Sequence, residues 1–583
     1  MSVDEKTAAA TGNAAEGASP ADRPWLKFYE PGVPHDVEIP NQTLPELLAD
    51  AAKRWPERVA VGFQGASLTY AEIDALAWRF AHVLLRLGVS PGDRVALLLP
   101  NSPQFVFAYY GVMRAGAIVV PTSPLYVQRE IEHQLADAGV KVALVLSALY
   151  PRVAEARRNL PDLEHVIVTN IKEYFPPLIK VLFTVAKERK DGHNQTLPKD
   201  GRTHWLQPLL QAGSSAPLPA RGTPHDLAVL QYTGGTTGLA KAAMLSHRNL
   251  LANAAQARAW FTNVTRPDGR DTILAAIPLF HIYAMTSVMN LAVLGGARML
   301  LHPKFDLKAV LKALHSERPD LFPGVPTMYM AINNAPGLAR YNITSLKACI
   351  SGAAPLPRDV QTRFEALTGA KLVEGYGLSE ASPVTHCTPL TGLRKVGSIG
   401  VPFPGTDAAV FDQETGTRRL GIGEVGELAV RGPQVMHGYW NRPEETAEVL
   451  RDGWLFTGDL VTVDADGYFS IVDRKKDVIL SGGVNVYPRD VEEPLYRHPA
   501  VQEAVAVGLP DEYWGEAVKV YIVLKPGHTA TVEEIQRYCH AQMASYKVPK
   551  YVEFRDSLPK SLVGKFLRRM LLEEEAARTH TGS

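Results

Sequence analysis

Apolar residues along this chain switch between two periods. After Thr69, the positions Ile73, Leu76, Ala77, Phe80 and Leu84 recur at three- and four-residue steps, the spacing that lines one face of a helix. Thr69 followed by Glu72 is a capping-box signature for the start of that helix, and Gly88 supplies its stop. "RVALLLP" from Arg94 then reads as a buried strand, "QFVFAYYGVMRAG" as a second helix and "AIVVP" as a second strand. Such alternation marks βαβ units and predicts a mainly parallel sheet. It begins near Leu44 and continues, with interruptions, to the region of residue 400. "GELAVRG" and "GYFSIVDR" depart from it and read as antiparallel strands. Beyond "VDRKKD", the stretches "VEEPLYRH", "VQEAVAVGLP", "AVKVYIVLKPG" and "TVEEIQRYCHAQM" predict a small α+β unit.

Two segments break the rhythm. Residues 1–40 open on "MSVDEKTAAATGNAAEGASPADRP", with neither a basic start nor an apolar core. That composition predicts a disordered tail rather than a signal peptide. Residues 171–220 mix an apolar stretch, a basic one and a polar loop, and read as an insertion. The expected layout is α/β. A large domain over 41–475 carries mainly parallel sheets sandwiched by helices, plus a β-rich subdomain. A small, mobile α+β domain covers 476–583.

Composition narrows the function. A chain of 583 residues needs more than one core. Lys plus Arg and Asp plus Glu both total 61, so no basic excess argues for nucleic acid as a partner. Three scattered cysteines fit no metal or disulfide framework and suit a reducing cytoplasm. No run of 18 apolar residues predicts a membrane span.

The densest chemical signal is "YTGGTTGLAK" at 232–241. Glycines let backbone N–H groups approach an anion, and threonine hydroxyls add donors, which suits a polyphosphate. A Walker A loop needs adjacent Gly-Lys followed by Ser or Thr. Here Lys241 stands three after Gly238 and is followed by Ala242, so that reading fails. Seven further stretches follow in order: "PLFHIYAM" (278–285), "SGAAPLP" (351–357), "LVEGYGLSEASP" (372–383), "GELAVRGPQVMHGYW" (426–440), "DGWLFTGDL" (452–460), "VDRKKDVILSGGVNVYP" (472–488) and "LPKSLVGKFLRR" (558–569). Together these resemble the motifs of the adenylate-forming superfamily of acyl-CoA synthetases, adenylation domains and luciferases. The phrases "QYTGGTTG", "PQVMHGYW" and "YKVPKYVEFRDSLPKS" look most like bacterial long-chain fatty-acid–CoA ligases. Ala240 and Ala242 replace the family's commoner Pro and Gly, and Ser379 its commoner Thr, with the donors retained.

The resemblance implies a chemistry and a set of roles. A fatty acid attacks the α-phosphate of ATP with release of pyrophosphate, and the acyl-adenylate then passes to the thiol of CoA. Thr233, Gly234, Gly235, Thr236, Thr237, Gly238 and Lys241 would cradle the β- and γ-phosphates. Glu380 would hold Mg²⁺, a hard cation that prefers oxygen, and Ser379 would lie by the α-phosphate. Tyr376 would offer a flat face to adenine, with Gly375 and Gly377 letting the base lie against backbone and Gly352, Ala353 and Ala354 lining the same site. Asp459 would accept the ribose hydroxyls, with Arg474 reaching the same sugar. His281 would orient the substrate carboxylate. Lys565 would bridge that carboxylate and the α-phosphate as a mobile point charge. Lys476 would be the hinge of a rotating small domain, and Gly482 and Gly483 would pass the pantetheine arm of CoA. Alternatives on the same scaffold are a medium-chain or aryl-CoA ligase, or a fatty-acyl-AMP ligase serving a carrier protein. A nucleotide-binding protein without catalysis is disfavoured by intact Glu380, Asp459 and Lys565.

Residues 171–190 carry one more expectation. "PPLIKVLFTVAKERK" sets Leu178, Ile179, Leu182, Phe183 and Val185 beside Lys180, Lys187, Arg189 and Lys190. That mixture suits an interfacial helix making peripheral contact with an anionic membrane, or alternatively a helix packed on the large domain.

Overall fold

A computed structural model describes residues 23–233, 240–481, 484–511, 514–560, 564 and 566–581. The helix expected after Thr69 is Tyr70–Arg86. The Thr69 hydroxyl accepts the Glu72 N–H at 3.2 Å, and the Glu72 carboxylate accepts the Thr69 N–H at 2.7 Å. The predicted strands Arg94–Leu98 and Ile118–Pro121 pair in parallel, with the helix Pro103–Arg114 between them in sequence.

The large domain holds two sheets built on parallel strands. In the nine-stranded sheet, Val59–Phe63, Arg298–Leu301, Thr272–Ala275, Leu321–Gly324, Ala348–Ser351 and Lys371–Gly377 run parallel, and antiparallel strands finish both edges. The seven-stranded sheet is parallel except for its last pair, Leu227–Tyr232 with Ala242–Ser246. A five-stranded antiparallel unit includes Gly426–Arg431, Trp454–Val463 and Phe469–Arg474. This is the β-rich part foreseen in "GELAVRG" and "GYFSIVDR". After the turn Lys475–Asp477, a five-stranded mixed sheet with helices Pro488–Tyr496 and Val532–Gln542 makes the small domain. Its core is its own, around Val486, Val491, Leu495, Val520 and Ile535.

Two boundaries move. Residues 23–40 do not belong to a tail: Trp25 is buried, Tyr29 donates its hydroxyl to the Pro402 carbonyl at 2.7 Å, and Arg23 pairs with Asp407 at 2.7 Å. Trp25, Phe28 and Tyr29 provide apolar surface that the Ala, Gly and Ser upstream lack, and burying it offsets the ordering cost. The insertion is also shorter than 171–220. Thr203–Trp205 joins the seven-stranded sheet beside His165–Thr169, and Leu206 and Leu210 are buried behind it. A three-residue strand is too brief for its period to show in sequence.

Candidate active site

Three neighbouring parallel strands end at one place. Leu321–Gly324, Ala348–Ser351 and Lys371–Gly377 lie side by side, and their carboxyl ends lead into Val325, Gly352–Ala354 and Ser379–Glu380. In open parallel sheets, ligands bind outside the carboxyl ends of the strands. The backbone there is tight. The Gly352 N–H donates to the Gly324 carbonyl at 3.1 Å. Ala353 sits at φ +69°, a left-handed conformation that costs a non-glycine residue energy and clusters at functional sites. Gly375 and Gly377 each have a close protein neighbour. A Cβ on Gly375 would stand 2.5 Å from Ile350 Cδ1, and one on Gly377 would stand 2.0 Å from the Pro383 carbonyl oxygen.

Tyr376 lies between them, and its hydroxyl donates to Asp459 Oδ2 at 2.5 Å. The other oxygen, Oδ1, lies 3.4 Å from Arg474 Nε. That meeting follows from register, because Asp459 and Arg474 are cross-strand partners in the antiparallel pair Trp454–Val463 and Phe469–Arg474. The hydroxyl tie holds the far end of the Tyr376 side chain, a constraint the sequence did not reveal. His386 packs edge-on to that ring at 5.8 Å.

Glu380 sits on the turn Ser379–Ala381 and accepts the Tyr439 hydroxyl at 2.8 Å, while its carbonyl accepts the Met436 N–H at 2.8 Å. Burial raises the pKa of both Glu380 and Asp459, and Arg474 opposes the rise at each. Lys476 lies in the same field. Burial lowers its pKa first and Arg474 adds to that, while Asp477, Asp459 and Glu380 pull it back up. Two partly buried acids thus share one field with the partly buried Arg474 and the exposed Lys476. The arrangement is suited to exchanging internal partners for a charged ligand without uncovering net charge.

Lys241 closes the glycine–threonine loop. The Thr233 N–H donates to the Lys241 carbonyl at 2.9 Å, one step past the last strand pair, Tyr232 with Ala242. The loop therefore joins two antiparallel strands. A Walker loop joins a strand to a helix, so the topology agrees with the failed motif. Gly234, Gly235, Thr236, Thr237 and Gly238 lie outside the described residues. The Lys241 ammonium stands 3.8 Å from Glu445 Oε1 and 5.4 Å from the centre of the Tyr439 ring. A part-exposed ion pair at that distance is worth at most ~1 kcal/mol, so a phosphate can displace it. Tyr439 was missed as a site residue although "HGYW" had been singled out. It touches Glu380 through its hydroxyl and Lys241 through its face, a convergence invisible at separations of 59 and 198 residues.

His281 caps the short helix Ile282–Ala284, its Nδ1 accepting the Tyr283 N–H at 3.2 Å. The ring proton is therefore on Nε2, and burial holds the pKa down to about 4, so the imidazole is neutral near pH 7. The Nε2–H is thus available there as a neutral hydrogen-bond donor. Tyr283 connects it to the strand ends, donating to the Ile350 carbonyl at 2.8 Å and standing where a Cβ on Gly352 would meet its ring at 3.2 Å. Gly482, Gly483 and Lys565 lie outside the described residues.

Glu374 adds a pH dependence beside this site. Its carboxylate accepts the Leu356 N–H at 3.2 Å, and burial pushes its pKa up to about 7 from 4.5. The folded state then holds a proton that the unfolded chain has lost between those values. Stability contributed by this group is present at the acid end and lost as pH rises, by up to ~3 kcal/mol. Glu374→Gln is expected to melt higher than the parent at pH 8 and to flatten the dependence between pH 5 and 7. Parallel melting curves for the two proteins would refute this.

Residues 48–440 match the AMP-binding enzyme family, and residues 490–565 match the AMP-binding enzyme C-terminal domain. The chain belongs to the AMP-binding enzymes. Within this adenylate-forming group, a long-chain-fatty-acid–CoA ligase of Bacillus subtilis (strain 168) is 47% identical, covering 96% of this chain and 99% of its own length. A protein of the same description from Yersinia pestis is 40% identical over 95% and 98%. ATP-bound MatB from Rhodopseudomonas palustris has a TM-score of 0.79 at 30% identity, covering 91% of this chain and 98% of that one. The apo form of MatB scores 0.69, so the arrangement here lies nearer the ATP-bound one.

Proposed function

We propose that this AMP-binding enzyme is a long-chain fatty-acid–CoA ligase. The observation that carries the chemistry is the meeting of Glu380, Asp459 and Arg474 at the carboxyl ends of the parallel strands, beside the hairpin that ends at Lys241. The substrate class rests on the near full-length likeness to long-chain ligases. A fatty-acid carboxylate oxygen attacks the α-phosphorus of ATP, the bond to the bridging oxygen breaks, and pyrophosphate leaves. The CoA sulfur then attacks the acyl carbon, and AMP leaves with the bonding pair. A carboxylate is a poor electrophile because its leaving group would be oxide; AMP is a far better one. No protein nucleophile is required, and the protein's work is positioning and charge neutralisation.

In this reading Asp459 accepts the ribose hydroxyls, with Arg474 balancing its charge. Lys241 and Thr233 donate to the terminal phosphates together with the glycine–threonine loop. Neutral His281 donates from Nε2 to the fatty-acid carboxylate. The chain's residues fit the magnesium ion that the family implies. Glu380 offers a hard oxygen ligand, and among the described residues no three His, Cys, Asp or Glu converge into a complete cage. That suits an ion held mainly by phosphate oxygens and water. When bound, magnesium supplies positive charge against the triphosphate. Lys565, Lys476, Gly482 and Gly483 keep the roles implied by the resemblance.

The test is ATP–pyrophosphate exchange over palmitate, octanoate and benzoate, followed by thioester formation with CoA. Palmitate is expected to have the highest kcat/KM, with CoA needed for AMP release. A higher kcat/KM for benzoate would refute the substrate class. Acyl-AMP formation with no thioester on adding CoA would refute the acceptor.

A further inference from the structure

The helix Pro177–Ala186 turns its apolar stripe outward. Leu178, Val181, Leu182 and Val185 recur at the spacing that normally seats a helix on a core, yet they are 70%, 60%, 55% and 84% exposed. The opposite side is anchored. The Phe183 ring lies 5.5 Å from Phe175 and 5.5 Å from His193, both edge-on. Phe175 in turn packs on Phe63 of the nine-stranded sheet at 5.7 Å. The membrane-facing set expected from sequence is thus corrected at Phe183, which points inward.

Cations follow the stripe past the end of the helix, while Lys180, two residues on from Leu178, lies on the opposite side. Lys180, Lys187, Arg189 and Lys190 are all exposed. The sole acid between Pro177 and Lys190 is Glu188, and it is already paired with Lys172. The turn that carries three of these cations is braced, since Asn170 donates to Glu188 at 2.8 Å and His193 Nδ1 meets Ser147 Oγ at 2.8 Å. The whole chain is charge-balanced, so this basic cluster is local. Protein interfaces favour aromatic residues and Arg in their centres and are depleted of Lys. A face of Leu and Val that leads into Lys187, Arg189 and Lys190 matches the surface of an anionic bilayer instead.

We propose that this helix seats the protein on anionic lipid, with Leu178, Val181, Leu182 and Val185 entering the headgroup–acyl boundary and Lys187, Arg189 and Lys190 facing lipid phosphates. The surface stands on its own geometry. Its use to the enzyme rests on the fatty-acid reading, because long-chain acids dissolve in bilayers and a seated ligase meets them there.

The full chain should be co-sedimented with phosphatidylcholine vesicles, with and without about one third phosphatidylglycerol. Binding is expected on the anionic vesicles and should weaken with salt. Leu182→Ser with Val185→Ser, and separately Lys187→Gln with Lys190→Gln, should each lower the partition coefficient about tenfold. Melting temperature and activity on detergent-dispersed acid should stay unchanged. Unchanged sedimentation in both double variants overturns the proposal. So does a concentration-dependent dimer that the Leu182→Ser, Val185→Ser pair abolishes, because the occupant is then a second copy. Either failure leaves the ligase assay on dispersed acid intact, so the two readings fail separately.

Discussion

Replacing Lys565 with alanine is expected to cut fatty-acid-dependent ATP–pyrophosphate exchange by about 10²- to 10³-fold. Thioester formation from supplied acyl-AMP and CoA should stay within a few-fold of the parent. The reason is where charge builds. In the first half-reaction the α-phosphorus becomes pentacoordinate, and a mobile ammonium can neutralise its oxygens and then withdraw. In the second half-reaction the developing charge is on the acyl carbonyl and the departing AMP. Gly564, the residue before Lys565, lies at φ +77°, and a Cβ on it would be 3.4 Å from Thr327 Oγ1 at the start of the helix Pro326–Asn333. Gly564 therefore faces the carboxyl end of the strand Leu321–Gly324. If the small domain turns for the thiol step, as proposed, it must break contacts with the large domain, where the Arg489 N–H donates to Asp473 Oδ2 at 2.8 Å and Arg489 Nη1 to the Ile471 carbonyl at 2.7 Å. Equal loss of both half-reactions in a folded Lys565→Ala protein would sink the assignment.

Asp459 and Glu380 are expected to fail in different ways. Asp459→Asn keeps an oxygen for the Tyr376 hydroxyl, so the fold survives while the charge is lost. It should raise the KM for ATP and weaken acyl-AMP binding together, since the same sugar is held in both half-reactions. Glu380→Gln should leave acyl-AMP binding nearly intact, lower the exchange rate and raise the magnesium requirement. Each loss is expected to cost about 3 kcal/mol, as for removal of one preorganised group from a desolvated site. Tyr439→Phe supplies the graded control. It removes one hydrogen bond to Glu380, worth ~1 kcal/mol, and should reproduce the Glu380 profile at about one third of its free-energy cost, roughly fivefold in rate. Indistinguishable kinetic and magnesium profiles for the Asp459 and Glu380 variants would contradict the roles given.

Much of the fold could be read without coordinates, because period and caps are local. Thr69 and Glu72 lie on adjacent turns, so their reciprocal bonds needed no tertiary information. Alternation of buried strands with helices similarly specified parallel sheets. The limits came where an element was too short to show a period, as at Thr203–Trp205, or where a few aromatics outweighed a polar composition, as at Trp25. The motifs also single out Glu380, Asp459 and His281 one at a time, as candidates for the roles proposed above.

What the chain could not disclose was partnership. The Tyr376 hydroxyl meets Asp459 across 83 residues, and Glu380 meets Tyr439 across 59. Each contact depends on the register of strands that only the folded sheet sets. Gly375 and Gly377 also have close neighbours at Ile350 and Pro383 that the motif alone does not show. The helix Pro177–Ala186 shows the division most simply. Its sequence fixes which side chains share a face, because 3.6 residues complete a turn. Which face is covered depends on what lies opposite in space, and there the tertiary structure chose Phe183 for the inside and left Leu182 and Val185 in solvent.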